Sequence, residues 1–191
     1  MTDKDGLTER GRALEDDYFR KRDQELIEKL RRAAAADAER AEMGRQVGLT
    51  DPESLLELEA LGFTPETVSL LPLVPAVQVA WAEGGISAAE RDLLVQLARR
   101  RGIEAGSAAD RTLDGWLTAR PDARVFQQAT RLIRAMLGAP GAPDLTADDL
   151  VAYCESIAAA SGGLLGRNRV SAEERRLLTA LADELKARPS R

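Results

Sequence analysis

Ala82-Glu83-Gly84-Gly85-Ile86-Ser87-Ala88-Ala89-Glu90-Arg91-Asp92-Leu93-Leu94 reads as the end of one helix, a glycine turn and the start of another. Serine followed three residues later by glutamate is a capping box, in which a hydroxyl and a carboxylate satisfy two orphan amides reciprocally. The glycines before it can adopt conformations that end a helix. Ile86 is placed to plug a core, and Leu93, Leu94 and Leu97 share one helical face. The pattern returns 84 residues later. Ala160-Ser161-Gly162-Gly163 is followed, after the inserted Leu164-Leu165-Gly166-Arg167-Asn168-Arg169, by Val170-Ser171-Ala172-Glu173-Glu174-Arg175-Arg176-Leu177-Leu178. The match continues with Leu97-Ala98 against Leu181-Ala182. Two helix–turn–helix units are therefore expected to face each other in a pseudo-symmetric bundle.

Outward from this repeat, all apolar periodicity is helical and no segment alternates as a strand would. Thr50 with Glu53 and Thr146 with Asp149 offer further helix starts, and Thr64 before Pro65 a cap with proline at the first helical position. Gly62, Gly102, Gly138 and Gly162 mark stops in the left-handed conformation. Helices are predicted near 7–43, 51–60, 65–83, 88–101, 108–119, 121–137, 147–161 and 172–187. The apolar run from Val68 to Ala82, interrupted by Pro72, Pro75 and Gln78, is shorter than the roughly 20 residues a spanning helix needs. It reads as a broken core helix, so no membrane span is expected.

The fold class is thus all-α: a helical bundle with two pseudo-repeated helix–turn–helix units and a long, charged N-terminal helix. Composition shifts at about residue 46. Residues 1–45 carry 12 acids and 11 bases around a sparse set of apolar residues: Leu7, Leu14, Tyr18, Phe19, Leu26, Ile27 and Leu30. Such a narrow stripe suits a helix laid along a partner or paired in a coiled coil. The alternative is a solvated helix packed once against its own domain. Residues 46–191 have the apolar density of a globular bundle.

Composition narrows the chemistry. The 191 residues include no histidine and a single cysteine, Cys154, with a formal net charge of −5. Without histidine the commonest general base, the Ser–His and Cys–His nucleophile pairs and most zinc sites are gone. One cysteine makes no internal disulfide, and the polar N-terminus carries no signal-peptide apolar region, so a reducing, cytoplasmic setting is the default expectation. A pI near 5.0 argues against general nucleic-acid binding. No catalytic residue is nominated, and a non-enzymatic protein is expected.

The segment Ala80-Trp81-Ala82-Glu83-Gly84-Gly85-Ile86-Ser87-Ala88-Ala89-Glu90 resembles the hallmark of the tellurite-resistance TerB-like helical domains: an apolar helix ending in Ala-Asp-Gly, an aliphatic residue, then a Ser/Asp-x-x-Glu helix start, in two halves. Glu83 stands where that family prefers Asp, and the resemblance extends over roughly residues 65–187. It implies an all-α fold, an acidic surface able to bind metal, and a role in bacterial stress-response or membrane-associated complexes. Glu83 and Glu90 are the candidate metal ligands. Ser161 replaces the matching acid in the second copy, and any such site would be all-oxygen, suited to Ca²⁺ or Mg²⁺. Glu90 and Glu174 also have a local explanation as capping-box partners.

Within the N-terminal helix, Arg12-Ala13-Leu14-Glu15-Asp16-Asp17-Tyr18-Phe19, followed by Asp23 and Glu25-Leu26, is similar to the start of the zeta-type inhibitor subunits of bacterial ATP synthase. Those subunits block the rotary motor with a charged helix, which names ATP synthase as one partner. The main expectation is a protein-interaction module whose anchors are Tyr18, Phe19, Leu26, Ile27 and Leu30. A rotary-ATPase inhibitor and a divalent-cation-binding stress protein are the alternatives. Trp81 is read as core, Trp116 as an inter-helix plug and Cys154 as a buried structural thiol. Arg99-Arg100-Arg101 closes a helix at its negative dipole end, and Asp144, Asp148, Asp149 and Glu155 gather at a helix start.

Overall fold

The computed structural model describes residues 3–139, 145–161 and 170–187, and in the first helix the side chains from Tyr18 onward. Among the described residues there is no strand. The helices are α1 (Asp3–Val47), α2 (Pro52–Ala60), a 3-10 helix (Val68–Leu73) running into α3 (Val74–Ala80), α4 (Ala88–Arg100), α5 (Ala108–Thr118), α6 (Ala123–Leu137), α7 (Ala147–Ser161) and α8 (Ala172–Lys186). The chain divides into two compact units between Glu39 and Arg40. No helix among the described residues is long and apolar enough to cross a membrane.

In the first unit, every side chain from Tyr18 to Ala35 is exposed. Its described interactions are local. Arg32 pairs with Glu28 at 3.1 Å, Arg22 donates to the Tyr18 hydroxyl at 3.1 Å, and the Tyr18 and Phe19 rings meet edge-on. Pairs four residues apart contribute about 0.2–0.5 kcal/mol each.

The second unit is organised around the run Val68–Ala80, almost all of it buried. Pro72, inside the 3-10 segment, has no amide proton to give to an α ladder, and Pro75 sits in the first turn of α3, where the missing donor costs nothing. Helix α3 packs against α4, α6, α7 and α8, and α7 in turn against α4 and α8. The helix pairs α3–α4 and α7–α8 therefore pack on each other as the repeat predicts. Fully burying a leucine or valine contributes roughly 1.5–3 kcal/mol, so Leu70, Leu71, Leu73, Val74 and Val77 form the apolar centre of gravity.

Both repeat capping boxes form. Glu90 N–H donates to Ser87 Oγ at 3.3 Å while Ser87 N–H donates to the Glu90 carboxylate at 2.7 Å. The second copy matches it at 3.1 Å and 2.7 Å between Glu174 and Ser171. Thr146 and Asp149 cap each other in the same way. Gly62 and Gly102 take the left-handed conformation, and the next residue in each case turns into the core. Phe63 N–H bonds to Leu58 O, and Ile103 N–H to Ala98 O.

Three local expectations are corrected. The cap of α2 is Asp51 rather than Thr50, its carboxylate accepting Ser54 N–H at 2.8 Å, because Pro52 fixes the first helical residue one position later. Thr64 does not start an α-helix. Its N–H is taken by Thr67 Oγ1 at 2.9 Å, and a turn leads into the 3-10 segment whose Pro72 cannot extend an α ladder. Gly138 ends α6 with right-handed torsions (φ −90°), since Ala139 N–H satisfies Met136 O without any left-handed residue. The stop at Gly162, its neighbour Gly163, the Leu164–Arg169 insertion and Asp144 lie outside the described residues.

Candidate functional site

Among the described side chains of α1, the five arm anchors are the large apolar ones left in solvent, between 47% and 61% exposed. Helical geometry sorts them. Phe19 and Leu26 are seven residues apart, and Leu30 follows four later, so these three make one line with Ile27 on its flank. Tyr18 lies beside that line, edge-on to Phe19 and accepting a hydrogen bond from Arg22. Phe19 and Leu26 share a surface groove with Arg22, Asp23, Glu25 and Lys29. Arg22 and Lys29 give the apolar line a cationic border on one side, interrupted by Glu25 between them, while Asp23 lies within the line itself.

The two candidate metal ligands lie in very different surroundings. Glu83 is exposed at the α3–α4 turn, whereas Glu90 is buried with only 3% exposure. One Glu90 oxygen is occupied by Ser87 N–H. Burial, the largest influence, pushes the Glu90 carboxyl above the usual glutamate range; hydrogen bonds from Ser87 oppose this, and the charges of Glu174 and Glu83 add to it. The repeat therefore brings its two helix-start glutamates within electrostatic reach across the bundle. Glu174 is itself buried. No group of three or more Asp, Glu or Cys side chains able to hold a metal occurs among the described residues.

The remaining candidates have structural partners. Trp81, half-buried, donates its indole N–H to Trp116 O at 2.8 Å, and Arg91 donates to Leu117 O at 2.6 Å. Two carbonyls that the end of α5 leaves without helical partners are satisfied by these side chains. The Trp116 ring meets Phe63 edge-on. Arg99 bonds to Ile103 O at 2.9 Å and Asp110 at 2.7 Å. The Gly106 N–H, and after it Arg99, hold the Asp110 carboxyl below the usual range. Asp148 pairs with Lys186 at 2.7 Å. Cys154 is buried, and desolvation pushes its thiol up to about 12.

Sequence reasoning alone could not find the Trp81–Trp116 bond, whose partners are 35 residues apart and carry no local signature. It could have found the end of α1, where Met43 and Val47 sit four apart and are buried with Leu49. Comparison with known protein families, with curated proteins and with solved structures finds no match to this chain.

Proposed function

We propose that this protein is a non-enzymatic interaction module that docks a partner protein through the Phe19–Leu26–Leu30 line of α1, flanked by Ile27 and Tyr18. The observation that carries this reading is the unbroken exposure of every side chain from Tyr18 to Ala35, five large apolar ones included. An isolated helix of this polarity is marginal in water, and covering its apolar line would stabilise it. The bundle supplies a folded platform, and the arm supplies a helix whose anchors, at i, i+7 and i+11, are read by a groove or another helix.

Because Met43, Val47 and Leu49 belong to the core, the informative truncation removes residues 1–39 and no more. Affinity purification with the full chain, the truncation and a Leu26→Glu/Leu30→Glu variant tests the reading. A partner recovered with the full chain should be lost with both variants while their thermal unfolding stays that of the bundle. Recovery of the same proteins with all three would reject it. The arm's similarity to ATP-synthase inhibitor helices makes a rotary ATPase one named target, checked by adding the full chain to the purified enzyme and following ATP hydrolysis.

A further inference from the structure

The arm's exposed line is also charged in a way that restricts what can cover it. In α1, Phe19, Leu26 and Ala33 recur every seven residues, and Asp23, Leu30 and Asp37 form a second seven-residue series beside them. Together these are the two core series of a helix–helix seam. Arg22 and Lys29, also seven apart, border the seam on one side and line its groove with Phe19, Asp23, Glu25 and Leu26; Glu25 sits outside the two cations, which are the charges nearest the seam on that edge.

A second copy of the chain fits this seam poorly in either direction. Parallel pairing sets Asp23 against Asp23 of the other copy and Asp37 against Asp37. The antiparallel register that brings Leu26 against Leu30 also brings Lys29 against Lys29 at its centre and lays Asp37 over Phe19. Like charges facing each other, and a carboxylate desolvated by an aromatic ring, each cost free energy that a partner helix with complementary charges avoids.

We propose that the occupant of this seam is an amphipathic helix of a different protein, one that carries acidic residues along the edge facing Arg22 and Lys29 and a basic residue opposite Asp23. This rests on the docking reading and adds the partner's charge pattern to it. Apolar contacts at Phe19, Leu26 and Leu30 hold the helix, and the charges choose it and set its register.

The test uses the full chain and two labelled synthetic helices of equal length with leucine at every seam position except the one opposite Asp23. One bears glutamates on the edge and lysine opposite Asp23; the other has these charges exchanged. Fluorescence anisotropy should show the glutamate-edged helix binding at least about tenfold more tightly, with the difference shrinking as salt rises. Arg22→Glu/Lys29→Glu should reverse the preference, a result that mere loss of structure would not produce. Equal binding of both helices would overturn the charge inference and leave apolar docking standing. Binding of neither, or sedimentation showing concentration-dependent self-association that Arg22→Glu/Lys29→Glu enhances, would overturn it as well. Failure of docking altogether is read separately, from the Leu26→Glu/Leu30→Glu purification.

Discussion

Glu90 and Glu174 occupy the same third position of two capping boxes, 84 residues apart in the chain, and the charge of Glu174 helps hold the Glu90 carboxyl above its ordinary range. Each carboxylate is fixed by a serine amide at 2.7 Å, so neither can turn away to water without opening a helix start. The native state therefore binds the Glu90 proton more tightly than the unfolded chain does. Stability contributed by this site is greatest when Glu90 is protonated, and falls as pH rises from the unfolded value, about 4.3, through the raised native one. Glutamine keeps the cap and removes the charge. Urea unfolding of Glu90→Gln should show the variant gaining on the parent as pH rises from 4 to 7. Parallel pH profiles for the two proteins would contradict the coupling.

Gly44 should resist the substitution that usually strengthens a helix. Alanine for glycine in a helix interior normally stabilises by about 0.5–1 kcal/mol. At Gly44 an added Cβ would run into the Leu49 carbonyl oxygen and come within 2.7 Å of Leu55 Cδ2, because Leu49 N–H bonds back to Gly44 O at 2.9 Å. Backbone cannot step aside as a side chain can. Gly44→Ala should cost about 1–3 kcal/mol, read as a Tm lower by about 2–4 °C per kcal/mol. An unchanged or higher Tm would show that the turn after α1 yields freely.

The two tryptophans should separate by what each contributes. Trp81→Phe removes the donor to Trp116 O and leaves that carbonyl short of a partner, at a cost of about 1 kcal/mol or somewhat more. Trp116→Phe keeps the bond, since the acceptor is backbone, and changes only the edge-on contact with Phe63. Chemical denaturation midpoints should fall further for Trp81→Phe. The reverse order would make the ring contact with Phe63, and not the hydrogen bond from Trp81, the stronger tie of α5 to the rest of the bundle.

Cys154 should be silent in the folded protein. With its thiol pushed up to about 12, almost no thiolate exists near neutral pH, and the side chain is shielded from reagents. A thiol-specific disulfide reagent at pH 8 should label it only as fast as the bundle opens. Rapid labelling without denaturant would count against its burial.

Where chemistry was local, the fold was legible. Ser87, Ser171 and Thr146 each announce a helix start because the cap and its acid lie within one turn of each other. The Thr50 reading missed by one residue since Asp51 can cap equally well, and Pro52 decides between them. Gly138 shows that a glycine at a helix end need not use its freedom. The apolar line of the arm was visible in the sparse spacing of Phe19, Leu26 and Leu30. Its cationic border was not, because Arg22 and Lys29 are lost among the many charges until the helix assigns them a side. The meeting of Glu90 and Glu174 was implied by the repeat, yet its electrostatic consequence depends on burial, which no spacing encodes.

The central position of α3 has a consequence for how the protein is made. Its buried faces are covered by α6, α7 and α8, and α8 begins about 90 residues after α3 ends. A ribosome adding about 5–20 residues per second leaves the most apolar stretch of the chain uncovered for several seconds before its last helix emerges. During that interval Val68–Ala80 is a sticky segment awaiting its cover, so chaperone dependence and aggregation in the cell should track the arrival of the C-terminal helices more closely than the final stability of the bundle.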